Sequence, residues 1–253
     1  MTHERPVALV TGGGKRVGAA IATRLGVEGY NVVVHFHRSR DGAQETAEAI
    51  EAAGGQAELR QADLSSRGEA ERLVGEVIEC WGRLDLLICS AASFEHVPLA
   101  DVDYAAWDRS MELCLTAPMS LATHAVGSLR ASRGSIVFIT CSSTTAPYKN
   151  FLPYQVAKAG VKQMMRVLAL ELAPEVRVNA VAPGTVLPPV EMSEAEIEAL
   201  RAGIPLGRTG SAEAVAHAVV YLQRASWVTG QELLVDGGAA LVGESGYREL
   251  TDQ

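Results

Sequence analysis

No CxxC pair and no cluster of cysteine with histidine occurs in this 253-residue chain; Cys80, Cys89, Cys114 and Cys141 stand at least nine positions apart. Such spacing excludes the common structural metal sites and reads as thiols in a reducing cytoplasm. An excess of positive charge is also missing. Thirty acidic residues against 22 lysines and arginines leave a net charge of −8, so a general nucleic-acid binder is not expected. Long hydrophobic runs are absent too: Met1 to Pro6 carries both charge signs, and only a short apolar run precedes Gly12. That is too little for a signal peptide or a membrane span, and a soluble, cytoplasmic protein is expected. No repeat, low-complexity tract or interdomain linker interrupts the chain.

What is present is 48% hydrophobic residues in a repeating pattern. Short apolar runs (Val7 to Val10, Asn31 to Phe36, Leu84 to Cys89, Ser135 to Thr140, Val176 to Val181, Glu232 to Val235) read as strands, with a further third strand ahead of Asp63. Between them lie amphipathic helices over Val17 to Glu28, Asp41 to Ala53, Arg67 to Trp81, Tyr104 to Ala131, Pro153 to Leu172 and Ala212 to Gln223. Strands apolar on both faces and joined by helices predict a single-domain, doubly wound parallel α/β sheet of about seven strands, with helices on both faces. The stretch 185–207, with Pro188, Pro189, Glu191, Glu194, Glu196 and Glu198, breaks the rhythm. It reads as a substrate lid or as a plain surface excursion.

Directly after the first strand comes Thr11-Gly12-Gly13-Gly14-Lys15-Arg16-Val17-Gly18, opening a helix. Glycines there let a backbone approach a pyrophosphate, and the helix start attracts its charge. The spacing is TGxxxxG, not GxGxxG, and with it the chain resembles the short-chain dehydrogenase/reductase family. The second strand ends in His35-Phe36-His37-Arg38-Ser39, with no acid to accept from a ribose 2′-hydroxyl. Arg16 and Arg38, with His37 and Ser39 beside them, suit a 2′-phosphate and favour NADP(H). Asp63-Leu64 resemble the family's adenine-contacting pair, with a helix N-cap at Asp63 or Ser65 as the other reading.

In Pro153-Tyr154-Gln155-Val156-Ala157-Lys158, Tyr154 and Lys158 are four apart and project from one helix face. This resembles the family's YxxxK motif, which implies Tyr154 as the general acid in reduction. Lys158 would lower its pKa, bind the nicotinamide ribose and pass on the proton. Thirteen residues before Tyr154, where the family has serine, this chain has Cys141. Its thiol is a weak donor, and the adjacent Ser142 could substitute only if the strand end turns. Cys114 stands where the family has its helix-kinking asparagine, so a proton relay would be rerouted. Leu87 to Ala92 departs from LVNNAG. The resemblance puts Ser90, Ala91, Pro183, Gly184 and Val186 at the cofactor and Ala92, Ser93, Phe94 and Leu187 at the substrate.

The Lys-Arg pair, the His-Phe-His-Arg-Ser run and Ala91 to Leu99 resemble the pteridine and dihydromonapterin reductases, where a residue like Phe94 stacks on a flat pterin. Cys141 in place of that branch's aspartate argues instead for a carbonyl substrate. The expectation is an NADPH-dependent reductase of C=O or C=N in a small flat molecule, with a degraded NADP(H)-binding sensor or scaffold as the alternative. His96 and His124 read as ordinary surface or core histidines. The resemblance also implies a homotetramer, with a dimer as the alternative.

Overall fold

The first strand shows why the sheet is covered on both sides. In β1 (Val7–Thr11), Val7 and Leu9 join one buried cluster while Ala8 and Val10 join another, because successive side chains of a strand point to opposite faces. The computed structural model describes residues 5–187 and 192–242. After β1 come β2 (Asn31–Phe36), β3 (Gln56–Gln61), β4 (Leu86–Cys89), β5 (Ser135–Ile139), β6 (Arg177–Pro183) and β7 (Glu232–Val235). All seven are parallel, in the order β3-β2-β1-β4-β5-β6-β7. Strand order reverses between β1 and β4, and in such sheets the crevice at that switch point, beyond the carboxyl ends, is where ligands sit.

One face carries α1 (Arg16–Val27), α2 (Arg40–Ala52) and α8 (Ala212–Arg224), whose Ile21, Ile50 and Val219 pack together under the sheet. The other carries α3 (Glu69–Trp81), α5 (Ala117–Ser132) and α6 (Leu152–Glu171) through Leu73, Leu121 and Met165. Each such fully buried aliphatic side chain contributes about 2 kcal/mol of transfer free energy.

Several elements differ from the sequence reading. The apolar run from Leu84 becomes a strand only at Leu86, because Leu84 N donates to Ser128 Oγ at 2.8 Å and not to a neighbouring strand. The helix expected over Tyr104 to Ala131 is divided: α4 (Tyr104–Met111) runs into one π-helical turn, Glu112–Thr116, before α5. Pro118 has no N–H to return to Cys114, and widening the turn accommodates the missing bond. The interval 185–207 is less irregular than expected, since it contains α7 (Glu194–Ala202), opened by a capping box between Ser193 and Glu196. Pro188, Pro189 and Glu191 lie outside the described residues. Neither Asp63 nor Ser65 caps a helix: α3 starts at Glu69 with Gly68 before it, and the Asp63 carboxylate instead accepts from the backbone N–H and hydroxyl of Ser65.

Candidate active site

A cleft of about 720 Å³ opens along the carboxyl ends of β1, β4, β5 and β6, and the expected site residues meet there. Its wall includes Gly12, Arg16, Val17, Gly18, His37, Arg38, Ser39, Asp63 and Leu64 at one end. Ser90, Ala91, Ala92, Ser93 and Phe94 lie between, and Cys141, Ser142, Tyr154, Lys158, Pro183, Gly184, Val186 and Leu187 at the other. Cys114 is not at the surface of the cleft; it is fully buried behind it, its Sγ 3.7 Å from the Ser93 carbonyl.

The glycine turn is shaped by contacts that spacing alone did not disclose. His35 Nδ1 accepts from Gly12 N at 3.1 Å, its Nε2 meets the Ala62 carbonyl at 3.1 Å, and its own carbonyl accepts from Gly13 N at 2.9 Å. Thr11 Oγ1 accepts from Ser90 N and Ala91 N at 3.0 and 3.2 Å, locking the ends of β1 and β4 together. Among the described residues no side chain caps α1 and no acid stands in its first turn. Its leading amides, flanked by the exposed Lys15 and Arg16, therefore suit a pyrophosphate. Arg16 also reaches across the cleft, where Nη2 donates to the Leu187 carbonyl at 2.6 Å.

The His35 contacts make a pH prediction. Burial lowers the imidazole from 6.5 to about 4, with the Ala62 hydrogen bond only partly opposing it. The unfolded chain takes up a proton that the folded one refuses. Stability is therefore full above pH 6.5 and falls by about 3 kcal/mol as the pH drops towards 4. Denaturant titrations above and within that window should show this slope, and His35→Gln should flatten it. The same slope in the variant would take His35 out of the account.

At the far end, α6 presents Tyr154 and Lys158 from one face, both buried. Lys158 Nζ donates to the Ile139 carbonyl at 2.7 Å and lies 5.6 Å from the centre of the Tyr154 ring. Contrary to the sequence expectation, the Tyr154 hydroxyl is held well above 10. Burial is the main reason, followed by Cys141, Tyr148 and Cys114. Cys141 lies two residues beyond β5, still in extended conformation, and a 3₁₀ turn, Ser142–Thr144, follows at once. Both Cys141 and Ser142 thus reach the cleft without a bulge.

Phe94, 45% exposed, stacks on Phe151 at 4.3 Å and meets Tyr154 edge-on at 5.0 Å. His96 packs edge-on against Phe151, and His124 rests on Ser120 at the surface of α5. Behind Cys141, the carboxylate of Glu232 on β7 accepts from Thr140 Oγ1 at 2.7 Å and Thr144 Oγ1 at 3.0 Å and pairs with Lys162 at 2.5 Å. This fastens both sides of Cys141, at Thr140 and at Thr144. Among the described residues no group of His, Cys, Asp and Glu could hold a metal ion, and no helix is long and apolar enough to cross a membrane.

Three comparisons agree with this geometry. A Streptomyces violaceoruber protein, named as ketoacyl reductase 2 of the granaticin polyketide synthase, is 39% identical over 94% of this chain and 98% of its own. The 3beta-hydroxysteroid dehydrogenase 1 of Eggerthella lenta is 36% identical over 92% and 93%. The crystal structure of acetoin dehydrogenase from Enterobacter cloacae superposes with a TM-score of 0.88 at 30% identity, covering 95% of this chain and 98% of that one. None of the three is named for a pterin, so the resemblance narrows to the family and not to the pteridine reductase branch. A family model described as enoyl-(acyl carrier protein) reductase matches residues 14–240. The chain belongs to the short-chain dehydrogenase/reductase family and is an oxidoreductase.

Proposed function

We propose that this protein is an NADPH-dependent reductase of a small, flat carbonyl compound. The observation that carries the reading is the pairing of buried Tyr154 and Lys158 in a cleft continuous with the glycine turn. Lys15 and the first amides of α1 would hold the pyrophosphate, Arg16 and Arg38 with His37 and Ser39 a 2′-phosphate, and Asp63 and Leu64 the adenine. Ser90, Ala91, Tyr154, Lys158, Pro183, Gly184 and Val186 would hold the nicotinamide end. The dinucleotide, when bound, supplies a hydride.

Tyr154 then protonates the substrate oxygen while the carbonyl carbon gains the hydride, so one alcohol and one phenolate result. Lys158 returns a proton to Tyr154. Ala92, Ser93, Phe94 and Leu187 would border the substrate, and the segment 185–207 would close over it, drawn in by the Arg16 bond to Leu187. Cys114, buried behind Ser93, would leave the relay beyond Lys158 without a side-chain carboxamide.

Ketone and hydroxyl chemistry in the names of the relatives supports a carbonyl substrate over a pterin. A dihydropterin is the second reading, favoured by the half-exposed Phe94 ring edge-on to Tyr154. The test is NADPH oxidation with ketones, diketones, quinones and a dihydropterin in parallel. Turnover confined to the dihydropterin would reverse the ranking, and NADPH binding without turnover of any of them would favour a sensor or scaffold.

The lack of an acid after β2 carries the preference for NADP(H). Arg38→Asp is expected to raise the Kd for NADPH at least ~10-fold, the loss of roughly one charge-assisted contact, while NADH binding holds or improves. Equal affinities for both dinucleotides before and after the change would refute it. Free thiols at all four cysteines support a cytoplasmic location. Exposed Val156, Val167 and Leu170 on α6 support self-association, as a homotetramer or a dimer.

A further inference from the structure

We infer that Tyr148 is a second hydroxyl donor to the substrate oxygen, set in place by Gln155 and by the thiol of Cys141. This rests on the carbonyl-reductase reading above and adds a catalytic group to it. A carbonyl oxygen that is being reduced gathers negative charge, and a second aimed donor stabilises that charge where water is excluded. At Cys141, beyond the end of β5, the side chain is a thiol, and a thiol donates weakly. Tyr148 brings a phenol to the same point: its Oη lies 3.5 Å from Cys141 Sγ, and the residue lines the cleft with Tyr154 and Lys158.

The position of Tyr148 is built, not incidental. Gln155, the residue next to Tyr154, clamps its main chain at both polar atoms. Gln155 Oε1 accepts from Tyr148 N at 3.1 Å, and Gln155 Nε2 donates to Tyr148 O at 2.6 Å. The ring is gripped edge-on by Phe151 at 5.4 Å and by Phe94 at 6.5 Å. The loop that carries it is tied down by Val97 N donating to Asn150 O at 2.7 Å. Backbone and ring of Tyr148 are thus both referred to the first turn of α6, the turn that bears Tyr154.

Ser142 is the rival hydroxyl in the cleft, but it begins the 3₁₀ turn after Cys141, whereas Tyr148 Oη already sits against the Cys141 sulfur. Either atom can be the donor in that contact, and a sulfur is a weak partner in both roles, so little of this contact is lost when the phenol turns its O–H to an arriving oxygen. Tyr148 keeps its proton throughout. The oxygen is protonated by Tyr154, and Tyr148 contributes a hydrogen bond alone.

Steady-state kinetics on the best carbonyl substrate of the panel, at saturating NADPH, provide the test. Tyr148→Phe is expected to lower kcat about 10²-fold, the usual loss for one such donor, with NADPH affinity unchanged. Adding Cys141→Ser should restore at least ~10-fold of that loss, because a hydroxyl there can donate directly. Gln155→Leu is a second variant that leaves the phenol intact. It should lower kcat about 10-fold with little change in KM, and it should cost nothing further once Tyr148 is phenylalanine.

Unchanged kcat in Tyr148→Phe, with Tyr154→Phe inactive, would overturn this inference and leave the reductase reading standing. A loss found only in Ser142→Ala, or no rescue by Cys141→Ser, would overturn it as well. No carbonyl turnover by the unaltered protein, or full activity in Tyr154→Phe, would overturn both.

Discussion

Tyr154→Phe is expected to cut turnover of a carbonyl substrate by about 10²- to 10⁴-fold, the span of a positioned general acid, with NADPH binding and the fold retained. The change removes one oxygen from a ring whose packing against Phe94 and within the cluster of Cys114, Cys141 and Ala157 does not depend on it. What disappears is the proton. Burial holds that proton on the hydroxyl well beyond the ordinary phenol range, so the acid form is fully present at neutral pH and the reductive rate should not fall as pH rises through the neutral region. Stopped-flow or steady-state NADPH oxidation across neutral pH would check both the size of the loss and the flat profile. A variant retaining more than a tenth of the activity would show that another group delivers the proton. Dinucleotide binding, followed by the change in nicotinamide fluorescence, should fall far less than turnover, since Tyr154 is one of several groups proposed at the nicotinamide end and the arginines and α1 amides proposed to hold the phosphates are untouched.

The second large effect belongs to backbone packing around the glycine turn. A methyl group on Gly18 would lie 2.1 Å from the Gly12 carbonyl oxygen, and one on Gly42 would lie 2.2 Å from the carbonyl oxygen of Gly14. Both obstacles are main-chain atoms of the same turn. No side chain can swing aside to relieve the clash, so α1 or α2 must move. Overpacking of this kind costs about 1–3 kcal/mol, here at the upper end.

The same displacement opens the turn that would receive the pyrophosphate, so Gly18→Ala and Gly42→Ala should both lower the denaturation midpoint and weaken NADPH binding together. Retained affinity in a destabilised Gly42→Ala protein would show that α2 and the turn move independently. Gly29, by contrast, has open space around it but a φ of +91°. Alanine there is expected to strain the chain locally without touching the cofactor end.

The difference between Gly18 and Gly42 shows how far the sequence could be read. Gly18 stands in a recognisable spacing after an apolar strand, whereas Gly42 is one glycine within the α2 sequence and nothing in its neighbourhood announces a carbonyl facing it. β3 makes the same point for a whole element. Its residues Gln-Ala-Glu-Leu-Arg-Gln are mixed polar and apolar because the strand lies at the sheet edge, where its inner positions are only partly buried and its ends are exposed. A search for apolar runs gives it no range, although its place ahead of Asp63 was expected. The sequence points to His37 and not to His35, because the order of residues does not tell which of two histidines at a strand end points inward to hold a turn. Tyr148 was likewise hidden, as its partners are a glutamine seven residues on and a thiol seven residues back.

Local order was therefore enough for whatever depends on periodicity and on residues close along the chain. The continuous apolar runs of the central strands, the amphipathic helices, the glycine turn at a helix start and Tyr154 with Lys158 on one helical face are all local patterns, set by side chains that change face every residue in a strand and return every 3.6 residues in a helix. Tertiary structure alone decided the contacts between distant segments. The imidazole of His35 lies against the turn, α2 sits on Gly14, and Glu232 is braced behind Cys141 by a lysine from α6. Burial moves Tyr154 in the direction opposite to the one expected from its neighbouring lysine, because desolvation and the orientation of an ammonium are properties of the packed interior and of no stretch of sequence.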